Sequence, residues 1–170
     1  IYITSGSGHV YGYNLKTKKI DWDFYLRADL NGSPVVTSDS CLIITIEKQF
    51  IPGYGGAMKI DPSKTPDECV IWFFPTGNRI FADWQGGVIG SAAISDRYLE
   101  TDNNLAVFSG IDGYMYVVSH NKLDTINKRI GPLKRNVYPQ PELIYKYKIG
   151  TSISTPIYIS QRIIAASYNG

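Results

Sequence analysis

Apolar residues recur along this chain in short runs, and a cluster of Gly, Asn, Asp, Ser or Pro ends each run every dozen residues or so. Ile1 to Thr4, Val10 to Leu15 and Ile20 to Tyr25 predict three strands, separated by a Ser5-Gly-Ser-Gly8 turn and a Lys16-Thr-Lys-Lys19 turn. Arg27 to Gly32 reads as a loop. Ser33-Pro34-Val-Val-Thr37 opens a new unit, with Pro34 at the start of a strand, where its missing N–H costs no ladder bond. Leu42 to Glu47, Ala57 to Ile60 and Val70 to Phe74 follow as strands, separated by a long loop at 48–56 and a turn-rich connection at 61–67. Another long loop spans Pro75 to Gly87. Ile89 to Ile94, Leu105 to Ser109, Tyr114 to Ser119 and Leu143 to Tyr147 repeat the pattern, interrupted by a basic, proline-bearing excursion from His120 to Pro141. Ser154 to Ile159 starts a further unit, which breaks off after its second strand. No run keeps a convincing helical period.

Thirteen Tyr, three Trp and six Phe, with many Ile and Val, fit strands better than helices. The units are self-similar. Gly8, Gly56, Gly113 and Gly170 close equivalent hairpins, spaced by about 50 to 60 residues. Trp22, Trp72 and Tyr145 end on equivalent outer strands. Gly32-Ser-Pro34, Gly90-Ser-Ala92 and Ser154-Thr-Pro156 open equivalent inner ones. Repeats of four strands at a fixed period are the signature of β-propeller blades. The predicted fold is therefore all-β: one incomplete propeller arc of about three four-stranded antiparallel blades. Residues 1–30 end a first blade, 31–75 form a second, 88–148 a third, and 153–170 start a fourth. A blade lies between neighbours, so its strands should be apolar on both sides, with small residues such as Ser33, Ala92, Ala93 and Ser154 beside the axis. Large aromatics belong on the widest, outermost strand.

Gly12-x-Asn14-x-x-Thr17-x-Lys19-x-x-Trp22 resembles the tryptophan-docking motif of the pyrroloquinoline-quinone-type, or quinoprotein-like, propellers, which reads Ala-x-Asp-x-x-Thr-Gly-Lys-x-x-Trp. Thr17, Lys19 and Trp22 match; Gly12, Asn14 and Lys18 replace Ala, Asp and Gly. The Gly32-Ser-Pro-Val-Val36 strand and Gly-Tyr-Met-Tyr at 113–116 are similar to the same repeat. The resemblance implies structural docking roles for Thr17, Lys19, Trp22, Trp72 and Tyr145. It also implies a ring of seven or eight blades, of which this chain holds an arc, and a periplasmic, cell-surface or secreted location. Such propellers are either quinone-dependent dehydrogenases, with calcium beside the cofactor, or cofactor-less binding scaffolds such as the outer-membrane barrel-assembly lipoprotein. Both ends read as cuts through structure: Ile1 lies mid-strand and Asn169-Gly170 is a hairpin signal with no strand after it.

Charge narrows the classes of partner. Seventeen Lys and Arg against fifteen Asp and Glu leave +2, too little to argue for nucleic acid or an anionic membrane. The longest apolar runs fall far short of the roughly 20 residues that span a bilayer. Cys41 and Cys69 are read as buried or half-buried free thiols, with a disulfide across the loops as the alternative.

Catalytic signals are weak. His9 and His120 are read as solvated turn residues without a second ligand. Gly53-Tyr-Gly-Gly56 and Gly6-Ser-Gly8 fall short of a dinucleotide fingerprint and open no helix. Ser119-His-Asn-Lys122 fits a Ser-x-x-Lys spacing by chance, in a turn. The enzymes of the resembled family carry an adjacent cysteine pair and a calcium cluster. Cys41 and Cys69 are not adjacent, and Asp83, Asp112 and Glu47 are scattered, so no quinone or calcium is expected here. The positional hint is geometric. In a propeller the 48–56 and 75–87 loops share one face and would present Phe50, Tyr54, Arg79, Phe81, Asp83 and Trp84, a mixture suited to a protein or glycan partner. The 120–141 excursion, with Lys122, Lys128, Arg129, Lys134 and Arg135, is expected as a solvated basic loop on the opposite face. The expected function is a non-enzymatic binding or assembly scaffold; the alternative is a quinone-dependent dehydrogenase or a carbohydrate-active propeller.

Overall fold

A computed structural model describes residues 1–96 and 104–169. Gly170, the fourth of the spaced glycines, lies outside the described residues. The described chain is all-β. β1 (Tyr2–Thr4), β2 (His9–Asn14) and β3 (Lys19–Tyr25) form a three-stranded sheet. β4 (Val35–Val36), β5 (Leu42–Ile46), β6 (Gly56–Ile60) and β7 (Val70–Pro75) form a four-stranded one. β8 (Asn78–Phe81) and β9 (Trp84–Gly86) make a small hairpin. β10 (Ala93–Ile94), β11 (Leu105–Ser109), β12 (Tyr114–Ile130) and β13 (Val137–Lys148) form the third large sheet, and β14 (Ile157–Ile159) pairs with β15 (Arg162–Ile164). Every sheet is antiparallel and its strands follow chain order.

β5 and β6, apolar but for Thr45 and Lys59, are buried along their whole length. Successive side chains on a strand point to opposite faces. Ile44, Met58 and Phe73 therefore pack with Val10 and Phe24 of the first sheet and with Leu26 just past it, while Ile43, Ala57 and Trp72 pack with Ala106, Phe108 and Val118 of the third. The second sheet is held between its neighbours on both faces. A strand with apolar residues at both odd and even positions is the sequence correlate of that double burial.

The segments that open the sheets meet in series. Thr4 Oγ1 donates to the Gly32 carbonyl at 2.6 Å, Ser33 N to Ser91 Oγ at 2.8 Å, and Ser91 N to Thr155 Oγ1 at 2.9 Å. Crowding explains the small residues here. A Cβ on Gly32 would lie 2.2 Å from Thr45 Oγ1 and 2.9 Å from the Gly90 carbonyl oxygen.

The aromatics named from the sequence lie on edge strands: Trp22 on β3, Trp72 on β7, Tyr145 on β13. The Trp22 indole donates to the Lys64 carbonyl at 2.9 Å, and the Trp72 indole to the His120 carbonyl at 3.0 Å. Lys64 lies in the β6–β7 connection of the next sheet, and His120 lies on β12 just past its pairing with β11. Tyr145 instead is 54% exposed and stacks on Tyr147. Thr17 sits exposed in the β2–β3 turn and Lys19 exposed at the start of β3. Asn14 shapes that turn by accepting from the amides of Lys16 and Thr17, and Lys18 takes φ +55° where the resembled motif has Gly.

Several expectations are corrected. Residues 120–141 are neither a loop nor on an opposite face, although Lys122, Lys128, Arg129, Lys134 and Arg135 are exposed as expected. β12 and β13 run on as a long hairpin arm with three irregularities in register. Its tip returns to the 48–56 loop, where Gly53 N donates to the Pro132 carbonyl at 2.8 Å, and Leu133 and Tyr138 pack on the core between the first two sheets. Ser119-His120 lies in β12, not in a turn, and His120 is buried, because it faces the interface with the second sheet. His9 starts β2 and is sandwiched between Tyr11 and Tyr25, with Asp23 at 2.8 Å. The Pro75–Gly87 loop contains the β8–β9 hairpin.

Candidate functional site

The β8–β9 hairpin is anchored before it presents anything. Lys48 N donates to Gly86 O at 3.0 Å, and Val88 N to Ile46 O at 3.0 Å, so the hairpin's return strand is tied to the end of β5. Phe81 and Trp84 stack across the turn with rings 9° apart, and Tyr168 packs on Phe81 at 4.8 Å. The turn itself, Ala82-Asp83, holds Ala82 at φ +50°. Arg79 extends along Gly113, where an added Cβ would come within 2.9 Å of its guanidinium. A groove of about 490 Å³ results, lined by Lys48, Asn78, Arg79, Asp83, Trp84 and Gln85. It offers a half-buried aromatic ledge, two cations and one carboxylate.

Of the six candidate residues, Arg79, Asp83 and Trp84 line this groove, and Phe81 stacks on Trp84. Phe50 lies apart and is 79% exposed. Tyr54 lines a second cavity of about 780 Å³, under the hairpin arm.

Two buried polar groupings escaped the sequence reading. Lys59, on β6, is 2% exposed and donates to Asp39 Oδ2 at 2.6 Å, to His120 Nδ1 at 3.2 Å and to the His120 carbonyl at 3.2 Å. An ammonium can only donate, so Nδ1 accepts and Nε2–H donates to Asp96 Oδ1 at 2.7 Å. The four groups tie the second sheet to the third. Burial opposes the charge on Asp39, but hydrogen bonds from Lys59 and Thr37 outweigh it and lower its pKa to about 2. Asp96 is also lowered: burial opposes this, and the bonds from His120 and Ser38 override it. A lysine in the run Gly-Ala-Met-Lys-Ile carries no local sign of its partners. The paired Ser-Asp steps at 38–39 and 95–96 were the available signal.

Glu47, at the end of β5, is 1% exposed. Asn31 donates to its Oε2 at 2.8 Å, while Oε1 has no partner among the described residues. Burial, reinforced by the nearby Asp29, raises its pKa to about 7 against the Asn31 bond. Asp112 is spent on the Gly77 amide and the Tyr116 hydroxyl. Asp83 is exposed on its turn. These three carboxylates do not converge, and among the described residues no three His, Cys, Asp or Glu side chains form a metal-ligand group. Cys41 and Cys69 are separate free thiols, both buried, and burial pushes them up to about 11 and about 12. Among the described residues no helix is long and apolar enough to cross a membrane.

No protein-family model matches this chain, and no curated protein matches it.

Proposed function

We propose that the chain is an arc of a quinoprotein-like β-propeller and serves as a non-enzymatic binding scaffold. It would recognise a protein or glycan partner on the face that carries the 48–56 loop and the β8–β9 hairpin. The propeller reading is supported by the repeated indole-to-carbonyl docking of Trp22 and Trp72 onto the following sheet, and by the serial contacts among the opening segments. The remaining blades of such a ring would cover the apolar residues left exposed on β13 and β14, among them Tyr145, Tyr147 and Ile157. The quinone reading finds no support in the scattered carboxylates and separated cysteines.

The observation that carries the binding role is the ledge of Phe81 and Trp84 beside Arg79 and Asp83. An aromatic plane flanked by donors and an acceptor fits the apolar face and hydroxyls of a sugar ring, or an aromatic anchor of a protein. Glycan-array binding and affinity capture with the intact protein test this. Trp84→Ala should weaken capture at least tenfold, a loss of about 1.4 kcal/mol. Unchanged capture by Trp84→Ala would remove this face from the reading.

A further inference from the structure

The larger cavity lies elsewhere, an open cleft of about 780 Å³ between the end of β7 and the hairpin arm. That is within the range of small-molecule sites, roughly 300–1,000 Å³. Its floor is aromatic: Phe74 and Tyr116 are buried and meet edge to face at 5.2 Å. Pro141 and Leu143 of β13 extend the apolar wall. Three cations, Lys128, Arg129 and Lys146, belong to the lining, and Lys128 and Arg129, neighbours on β12, turn to opposite faces of the arm. None of them forms an ion pair among the described residues. Lys146 lies over the Tyr114 ring at 4.0 Å and the Tyr116 ring at 5.2 Å, so its ammonium is held over the floor.

Asp124 is the acidic side chain of the lining, and it is already engaged. Its carboxylate accepts from the amides of Ile126 and Asn127 and from Asn127 Nδ2, which with help from Arg129 keep its pKa low. The lining keeps an excess of positive charge. Gln140, nine-tenths buried in the wall, has an Nε2 without a partner among the described residues. Cations above an aromatic floor complement a ligand with an apolar body and one negative end.

We propose that this cavity binds a small amphipathic carboxylate, its apolar body on Phe74 and Tyr116 and its carboxylate between Arg129 and Lys146. The site is separate from the Trp84 groove and stands or falls without it. A carboxylate suits the rim because guanidinium and ammonium groups both donate to it while retaining charge.

The test uses 4-phenylbutyrate and its neutral counterpart 4-phenylbutanamide, titrated into the intact protein and followed by NMR. The carboxylate should shift the resonances of Phe74, Tyr116 and the Gln140 side-chain amide saturably. The neutral amide should bind at least about tenfold more weakly. Combining Arg129→Gln with Lys146→Gln should cost the carboxylate a similar factor, whereas Lys16→Gln, on the remote β2–β3 turn, should cost nothing. Equal affinity for acid and amide overturns the proposal, and so do shifts that map elsewhere or no binding at about 10 mM. The acid–amide comparison needs no variant, so it decides the matter even if the double substitution misfolds.

Discussion

Glu47 is a carboxyl with one oxygen hydrogen-bonded and the other without a partner among the described residues. Its folded pKa of about 7 lies above the ordinary 4.5, so the folded state holds a proton that the unfolded chain releases earlier. The sign follows: the folded state is favoured fully below pH 4.5, loses that advantage as pH rises towards 7, and is penalised throughout above it. Glu47→Gln should therefore raise stability at pH 8 by on the order of 2 kcal/mol and leave it nearly unchanged at pH 4. Urea denaturation at both pH values checks this; an equal change at both would refute it. Asp39 and Asp96 act with the opposite sign. Their lowered pKa values contribute stability that is present above the ordinary 3.8 and disappears as pH falls through the folded values.

The hairpin arm binds distant parts of the chain through a few contacts at its tip. Leu133 and Tyr138 pack beside Phe24, Leu26 and Val70, and Pro132 accepts from Gly53. Leu133→Ala should cost about 1 kcal/mol, in keeping with a side chain only partly buried. It should also speed hydrogen exchange at the Gly53 amide, measurable without global unfolding. The strands were legible where both faces are apolar or where an aromatic marks the outer edge, so the β5, β6 and β7 segments and the Trp22 and Trp72 positions were readable. The arm was not, because its polar stretch and Pro139 and Pro141 read as breakers. An irregular edge hairpin tolerates such prolines, which need no ladder N–H where none is shared. The candidate groove was legible only as an aromatic-rich loop. Loop residues carry no period, so nothing local separated Trp84, at the groove, from Phe50, outside it. The buried Lys59–His120 contact joins residues 61 apart, beyond any local pattern.

At the scale of the molecule, three sheets are stacked face to face and bound in order, each to the next. Stability in such a stack divides into the sheets' own contributions and those of the interfaces. The tryptophans probe the interfaces directly. Trp72→Phe removes a buried indole bond and some packing and should cost about 2 kcal/mol; Trp22→Phe, at a half-exposed position, should cost about half that. Calorimetry should show the Trp72 change broadening the transition as the second and third sheets uncouple, and an unbroadened transition would contradict this. The reach of the arm also bears on biosynthesis. A ribosome adding about 5–20 residues per second delivers Leu133 roughly 3 to 12 seconds after Pro75. For that interval the nascent chain holds Phe24, Leu26 and Val70 without their cover, a window in which chaperones compete with folding.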